Sequence, residues 1–294
     1  MAATSTRTFE ILGVPFDGAA TLGWPGARYA PARIREALGW ITMRTEKGLV
    51  YSLETGQLHT APTIVDGGDA NVIPHDLEAT LTNTSEAISD VIRKNRVPII
   101  LGGDDSTLFS GSKGVHDATN GTMAIIHFDA HLDVMDENEA QGTHSQSSGM
   151  RRSLELPRAS ADHSIQVGLR HFNFPSSQAY VNTAGPAQIT AYEFDSLGTD
   201  AAVEKILQRI SGADTVFLSF DIDAVDPAHA PGAGAHEPGG LTSRQAIDTI
   251  RALAPHCDAL AVTEVNPLTD HRDMTSNLAA YLVYYFATFG AEVL

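Results

Sequence analysis

Two rhythms of apolar and polar positions run along the chain. Short continuous apolar, β-branched-rich runs predict buried strands: Phe9–Val14, Val97–Leu101, Met123–Phe128, Ser164–Arg170, Thr215–Leu218 and Ala259–Glu264. Thr63–Asp66 reads as a short strand closed by Gly67, Gly68 and Asp69, and Ala187–Ala191 as a weaker one. Between them the apolar spacing turns helical. Pro31 opens one helix in its first turn, and Leu77, Leu81, Ile88, Val91 and Ile92 form the apolar stripe of a second, between Asp76 and Lys94. Further helices are predicted from about Leu108, over 200–210, over 243–253 with Thr242 or Ser243 as cap, and over 277–289. Residues 43–62 look irregular. Strands alternating with helices, without a linker or an internal repeat, predict one α/β domain spanning 1–294: three layers, αβα, around a mostly parallel sheet.

The ends of three predicted strands carry the chemistry. Ser219-Phe220-Asp221-Ile222-Asp223 places two carboxylates two positions apart, on one face of an extended chain, before Pro227 ends the segment. Ligands of open α/β sheets bind at such strand tips, although an Asp-rich turn with solvated charges accounts for this stretch alone. A second strand ends in Asp129-Ala130-His131-Leu132-Asp133, three ligand-type side chains at alternate positions. A third runs into Gly102-Gly103-Asp104-Asp105-Ser106. Close carboxylates repel unless a cation or proton joins them. Carboxylates with imidazole suit Mn, Zn, Ni or Fe better than Ca or Mg. Asp105, Asp129, His131, Asp133, Asp221 and Asp223 are enough for a two-metal site.

Those three motifs resemble the ureohydrolases (arginase, agmatinase, guanidinobutyrase and relatives), and the likeness extends over nearly the whole chain. Gly13-Val14-Pro15-Phe16-Asp17-Gly18 and Pro25-Gly26-Ala27-Arg28 resemble the agmatinase-type entrance. Gly239-Gly240-Leu241-Thr242 and Glu264-Val265-Asn266-Pro267 match as well. The resemblance implies an arginase-like fold and two divalent ions, Mn first and Ni second. Asp129 and Asp221 would bridge them, Asp105 and Asp133 would complete one site, and His131 and Asp223 the other. It also implies that Glu264 pairs with a guanidinium, against a salt bridge to a loop arginine such as Arg272. His144 would shuttle a proton, against being a solvated loop histidine.

Two positions depart from the family pattern. Asp105 stands where the family has a ligating His, and His236 lies where it has Gly-Thr-Gly-Thr-Pro. His236 could supply a nitrogen ligand, contact substrate, or be a plain loop histidine. The reading is a binuclear-metal amidinohydrolase that splits a small guanidino compound (agmatine-like, guanidinobutyrate-like, or a biguanide or guanylurea) into urea or a urea-like product and an amine. Arginine itself is disfavoured, because 134–142 lacks the Asn-rich look of the loop that holds an α-amino acid head. The competing reading is a weak or inactive subunit that partners an active paralogue. The resemblance implies an oligomer, a trimer or hexamer of like chains or a mixed one.

Composition narrows the partners. The formal charge of −17 argues against nucleic acid and anionic membrane and suits a cationic substrate. Cys257, the single cysteine, reads as a buried structural thiol and precludes an internal disulfide. Together with the lack of an apolar signal core over 1–8 and of a membrane-length apolar run, this gives a cytoplasmic expectation. Trp24, in the entrance loop, is expected to pack against the following helix rather than act as a lid.

Overall fold

The computed structural model describes residues 7–20, 23–137, 139 and 141–291. In chain order the elements are β1 (Thr8–Gly13), α1 (Ala30–Thr42), β2 (Leu49–Ser52), β3 (Gln57–Thr60), β4 (Thr63–Asp69), α2 (Leu77–Arg93), β5 (Val97–Leu101), α3 (Ser106–Ala118), β6 (Met123–Phe128) and α4 (Gly149–Leu154). There follow β7 (Ile165–Leu169), α5 (Pro175–Ala184), β8 (Ala187–Thr190), α6 (Ala191–Leu197), α7 (Thr199–Ile210), β9 (Thr215–Asp221), α8 (Ser243–Leu253), β10 (Ala259–Thr263) and α9 (Met274–Phe289).

Among the described residues, eight strands form one parallel sheet in the order β4-β1-β5-β10-β9-β6-β7-β8. Helices cover both faces, so the central strands carry no exposed side: β5, β6, β9 and β10 are buried at every position. Two apolar clusters, one on each face, fill the space between sheet and helices. One contains Phe9, Phe128, Phe220 and Phe286, and the other Ile100, Leu108, Ile125 and Phe217. β10 and β9 return late in the chain and insert between β5 and β6. The C-terminal tips of four adjacent central strands thereby meet at one place, where ligands of open α/β sheets bind.

Helix ends follow side-chain chemistry. The Asp76 carboxylate accepts from the Ala79 amide (3.0 Å), and Thr242 and Gln245 form a reciprocal capping box ahead of α8.

The structure departs from the sequence expectation in several elements. Residues 43–62 contain the antiparallel hairpin β2–β3, whose exposed strands lack the apolar run of a core strand. β4 continues to Asp69, α3 begins at Ser106 and α9 at Met274. The short helices α4, α5 and α6 were too brief or too polar for a periodic signal. Trp24 does not pack away: it is 64% exposed, and its backbone is held, its N–H donating to Gly234 O and its O accepting from Asn266 Nδ2. Cys257 is buried as expected. No helix among the described residues is long and apolar enough to cross a membrane.

Candidate metal centre and the cavity above it

The chain segments leaving β5, β9 and β10 deliver Asp105, Asp221 and Glu264 to a cavity of about 460 Å³, and Asp129, at the tip of β6, is buried beside them. His131, Asp133 and Asp223 join from the loops that follow. Ligand atoms of Asp129, His131 and Asp223 lie close enough to hold one cation, and those of Asp105, His127, Asp129 and Asp133 a second. Asp129 belongs to both sets, as a bridging carboxylate would.

His127 was not anticipated. It sits inside β6, fully buried, two positions before Asp129 and therefore on the same face of the strand. The alternation 127, 129, 131, 133 carries that signal, but an imidazole within an apolar run reads as core. Its Nε2 lies 3.0 Å from Asp129 Oδ2 and 3.7 Å from Asp105 Oδ2. All three atoms are buried without an aligned hydrogen-bond partner. Buried polar atoms are rarely left unpaired, and a group of two carboxylate oxygens and one imidazole nitrogen facing one another fits a divalent ion.

Asp221 is placed differently. Its Oδ1 accepts from the Asp223 amide (2.8 Å), and it lines the cavity without joining either close ligand set. The other ligands are positioned from below. Asp105 Oδ1 accepts from Thr263 Oγ1 (2.7 Å), and Asp223 Oδ1 from the Ala130 amide (3.0 Å). Gln166 Nε2 lies 3.3 Å from His127 Nδ1 and donates to Leu132 O at 2.8 Å. Asp133 (φ 48°) and Glu264 (φ 60°) both adopt left-handed backbone, which costs a non-glycine residue energy and clusters at functional sites.

The electrostatics are those of a crowded anion site. Burial, then the charges of Asp129 and Asp105, holds the Asp133 carboxyl well above the usual range. Burial and the charges of Asp223, Asp129, Asp105 and Glu264 do the same to Asp221. Glu264 is raised by burial and by Asp104, and Asp105 is raised mainly by burial. Asp129 is lowered, because His127 and His131 outweigh its burial. Burial opposes the imidazolium of His127, but the facing Asp105 and Asp129 lift it to about 10. Neighbouring Asp104, buried against the Ala19 amide and Ser106 Oγ, is pushed up by burial to about 7.

Glu264 is anchored by the Asp105 amide, which donates to its Oε1 at 2.8 Å. Its Oε2 faces Gly234, where an added Cβ would approach to 2.6 Å. The absence of a side chain there keeps one carboxylate oxygen open to the cavity. No ion pair joins Glu264 to Arg272 among the described contacts.

Two anticipated residues are not brought to this cavity. His144 Nδ1 donates to Glu78 Oε1 (2.7 Å), and its ring stacks on Phe109 with centroids 5.1 Å apart. Gln146 and Ser147, next along the chain, do line the cavity. His236 is turned to the Pro231 carbonyl (2.7 Å), while Gly234 and Ala235 before it form cavity wall. Loop conformation aims these two side chains, and residue type gives no guide to it.

Residues 7–288 match the profile of the arginase family. The proclavaminate amidinohydrolase of Streptomyces clavuligerus is 31% identical over 288 residues, covering 94% of this chain and 87% of that protein. The formimidoylglutamase of Bacillus subtilis is 31% identical over 283 residues, covering 94% and 85%. The solved structure of the Streptomyces enzyme superposes with a TM-score of 0.84 at 27% identity, over 99% of this chain and 94% of that one.

Proposed function

Since this chain belongs to the arginase family, whose members are hydrolases acting on C–N bonds of amidines, we propose that it hydrolyses a small guanidino compound to urea or a urea-like product and an amine, at a centre of two divalent ions, Mn first and Ni second. The observation that carries this reading is the set of three facing, buried atoms without an aligned hydrogen bond, Asp105 Oδ2, His127 Nε2 and Asp129 Oδ2, beside the crowded carboxylates of Asp133 and Asp221.

Asp105, His127, Asp129 and Asp133 would hold one ion, and Asp129, His131 and Asp223 the other, with Asp221 beside both. Bound divalent ions supply water activation and charge stabilisation for attack on a resonance-stabilised guanidinium carbon. Glu264 does the orienting. Its Oε1 is fixed by the Asp105 amide, and its Oε2 is free to accept from a guanidinium N–H on the Gly234 side. Leu132 and Val134, which alternate with His131 and Asp133 along the chain, add apolar wall beside the charged floor and limit water there. His144 serves the leaving amine only if its ring exchanges Glu78 for the cavity.

The second reading, a subunit supporting an active paralogue, is favoured by Asp105 in place of the family's histidine and by the engagement of His144 with Glu78. Metal analysis of the purified chain, with a urea-release assay under Mn and under Ni, tests both. The first reading expects two ions per chain, and product release that is lost in Asp129→Ala. Activity that needs a co-expressed relative and survives Asp129→Ala here supports the second. Full ion occupancy with no hydrolysis of guanidino, biguanide or formimino compounds refutes the hydrolase.

A further inference from the structure

Resting on the hydrolase reading above, we infer that the cavity selects guanidino compounds whose far end is uncharged or cationic and discriminates against those ending in a carboxylate. The floor and the mouth have opposite characters. The floor carries the carboxylates and His131, whereas the mouth is formed largely by Met135, Phe172, Phe174 and Pro175. Phe172 is 100% exposed and Phe174 62% exposed. Phe172 and Phe174 both line this cavity, so their exposed rings offer a ligand apolar surface there. Such rings accept a methylene chain or methyl group by contact and an ammonium through their π faces.

Among the described lining residues none is Lys or Arg. The polar groups of the wall, such as Ser147, Asn173 and Ser177, are neutral. Arginines elsewhere in this part of the fold are engaged. Arg151 pairs with Asp136 (2.8 Å) and lies 4.3 Å above the Tyr180 ring. Arg152 also pairs with Asp136 (2.7 Å). Arg170 donates to the backbone carbonyls of Gly168, Asp223 and Glu237. Recruiting one of them for a substrate carboxylate would break those contacts.

Charge points the same way. The six carboxylates of the site exceed the charge of two divalent ions, so the floor stays net negative with both ions bound. A guanidinium is drawn to that surplus. A carboxylate at the other end of a four-carbon tail, about 8 Å away, is repelled by it, by roughly tenfold in affinity at a dielectric between protein surface and water.

The test uses the ion-loaded chain with three compounds of nearly equal length: agmatine (ammonium end), pentylguanidine (methyl end) and 4-guanidinobutyrate (carboxylate end). Steady-state rates and calorimetric binding are both measured. The expected result is a KM and a Kd for the first two at least tenfold below those for the third. Phe172→Arg or Phe174→Arg should then raise kcat/KM for 4-guanidinobutyrate roughly tenfold and lower it for agmatine, with ion content and melting temperature unchanged. Equal or tighter binding of the carboxylate compound by the unsubstituted chain overturns the inference while leaving the hydrolase intact. The expected binding order without turnover of any compound supports the inference and refutes the hydrolase. Binding of none of the three overturns both.

Discussion

Replacing Asp221 by Asn separates the electrostatic demand of this site from its architecture. Asp221 is 2% exposed, and its one aligned contact is the Asp223 amide donating to Oδ1, which an asparagine carbonyl accepts equally well. The change therefore removes a charge and little else. That charge is opposed by burial and by Asp223, Asp129, Asp105 and Glu264, so the folded chain holds this carboxyl well above its ordinary 3.8. A carboxyl raised in the folded state contributes stability that is full below its unfolded pKa and lost as pH rises through the folded one. At pH 7 the cost cannot exceed the free energy of keeping protonated a group that would ionise when unfolded, about 4 kcal/mol at 1.36 kcal/mol per pH unit. Neighbours that share the proton reduce it, and a gain of about 2 kcal/mol is expected. In a chain of 294 residues that is a rise in melting temperature of about 3 °C. Scanning calorimetry in chelator, from pH 5 to pH 8, should show Asp221→Asn melting above the unsubstituted chain by a margin that widens with pH. With Mn added the order should reverse, because the ions neutralise the repulsion and the variant has lost a carboxylate beside them. A variant less stable in chelator at pH 8 would refute the charge-crowding argument.

Other consequences can be checked directly. Glu264→Gln keeps the contact from the Asp105 amide but loses the charge toward a guanidinium, so kcat/KM should fall roughly ten- to hundredfold with ion content unchanged. Gly234→Ala drives a methyl group to 2.6 Å from Glu264 Oε2, and the displaced carboxylate should raise KM roughly tenfold while the fold persists, read by steady-state rates beside circular dichroism. His127→Ala should lower the number of tightly bound ions per chain, measured by metal analysis after dialysis. The chain should also be larger than a monomer by light scattering, consistent with the exposed apolar side chains of Trp40 (64%), Leu53 (90%) and Leu58 (63%) around the end of α1 and the β2–β3 hairpin.

The parallel α/β architecture and most of the candidate acidic ligands were legible because both rest on local periodicity. A strand buried on both faces must be an uninterrupted apolar run, and carboxylates two apart at its end must share a face. The candidates Asp129, His131 and Asp133, and Asp221 and Asp223, follow from that spacing; Asp105 was read from the end of its strand, and the start of α8 at Ser243 from its Thr242 cap. What the rule cannot reach is anything fixed by residues distant in the chain. The late strands β9 and β10 insert between β5 and β6, and only that order brings Glu264 beside Asp105 and lets its Oε2 open over Gly234. His127 reads as core in a one-dimensional pattern. It joins the site because Asp105, in the segment after β5 and separated from β6 in the sheet by β10 and β9, turns an oxygen toward its ring. His144 and His236 show the converse: their positions suited the chemistry, but loop packing gave their nitrogens to Glu78 and to the Pro231 carbonyl. Side-chain alternation is a property of a single strand and is written in its own residues. Which strands neighbour one another, and where a loop aims a ring, depend on burial summed over the whole chain, which no short window contains.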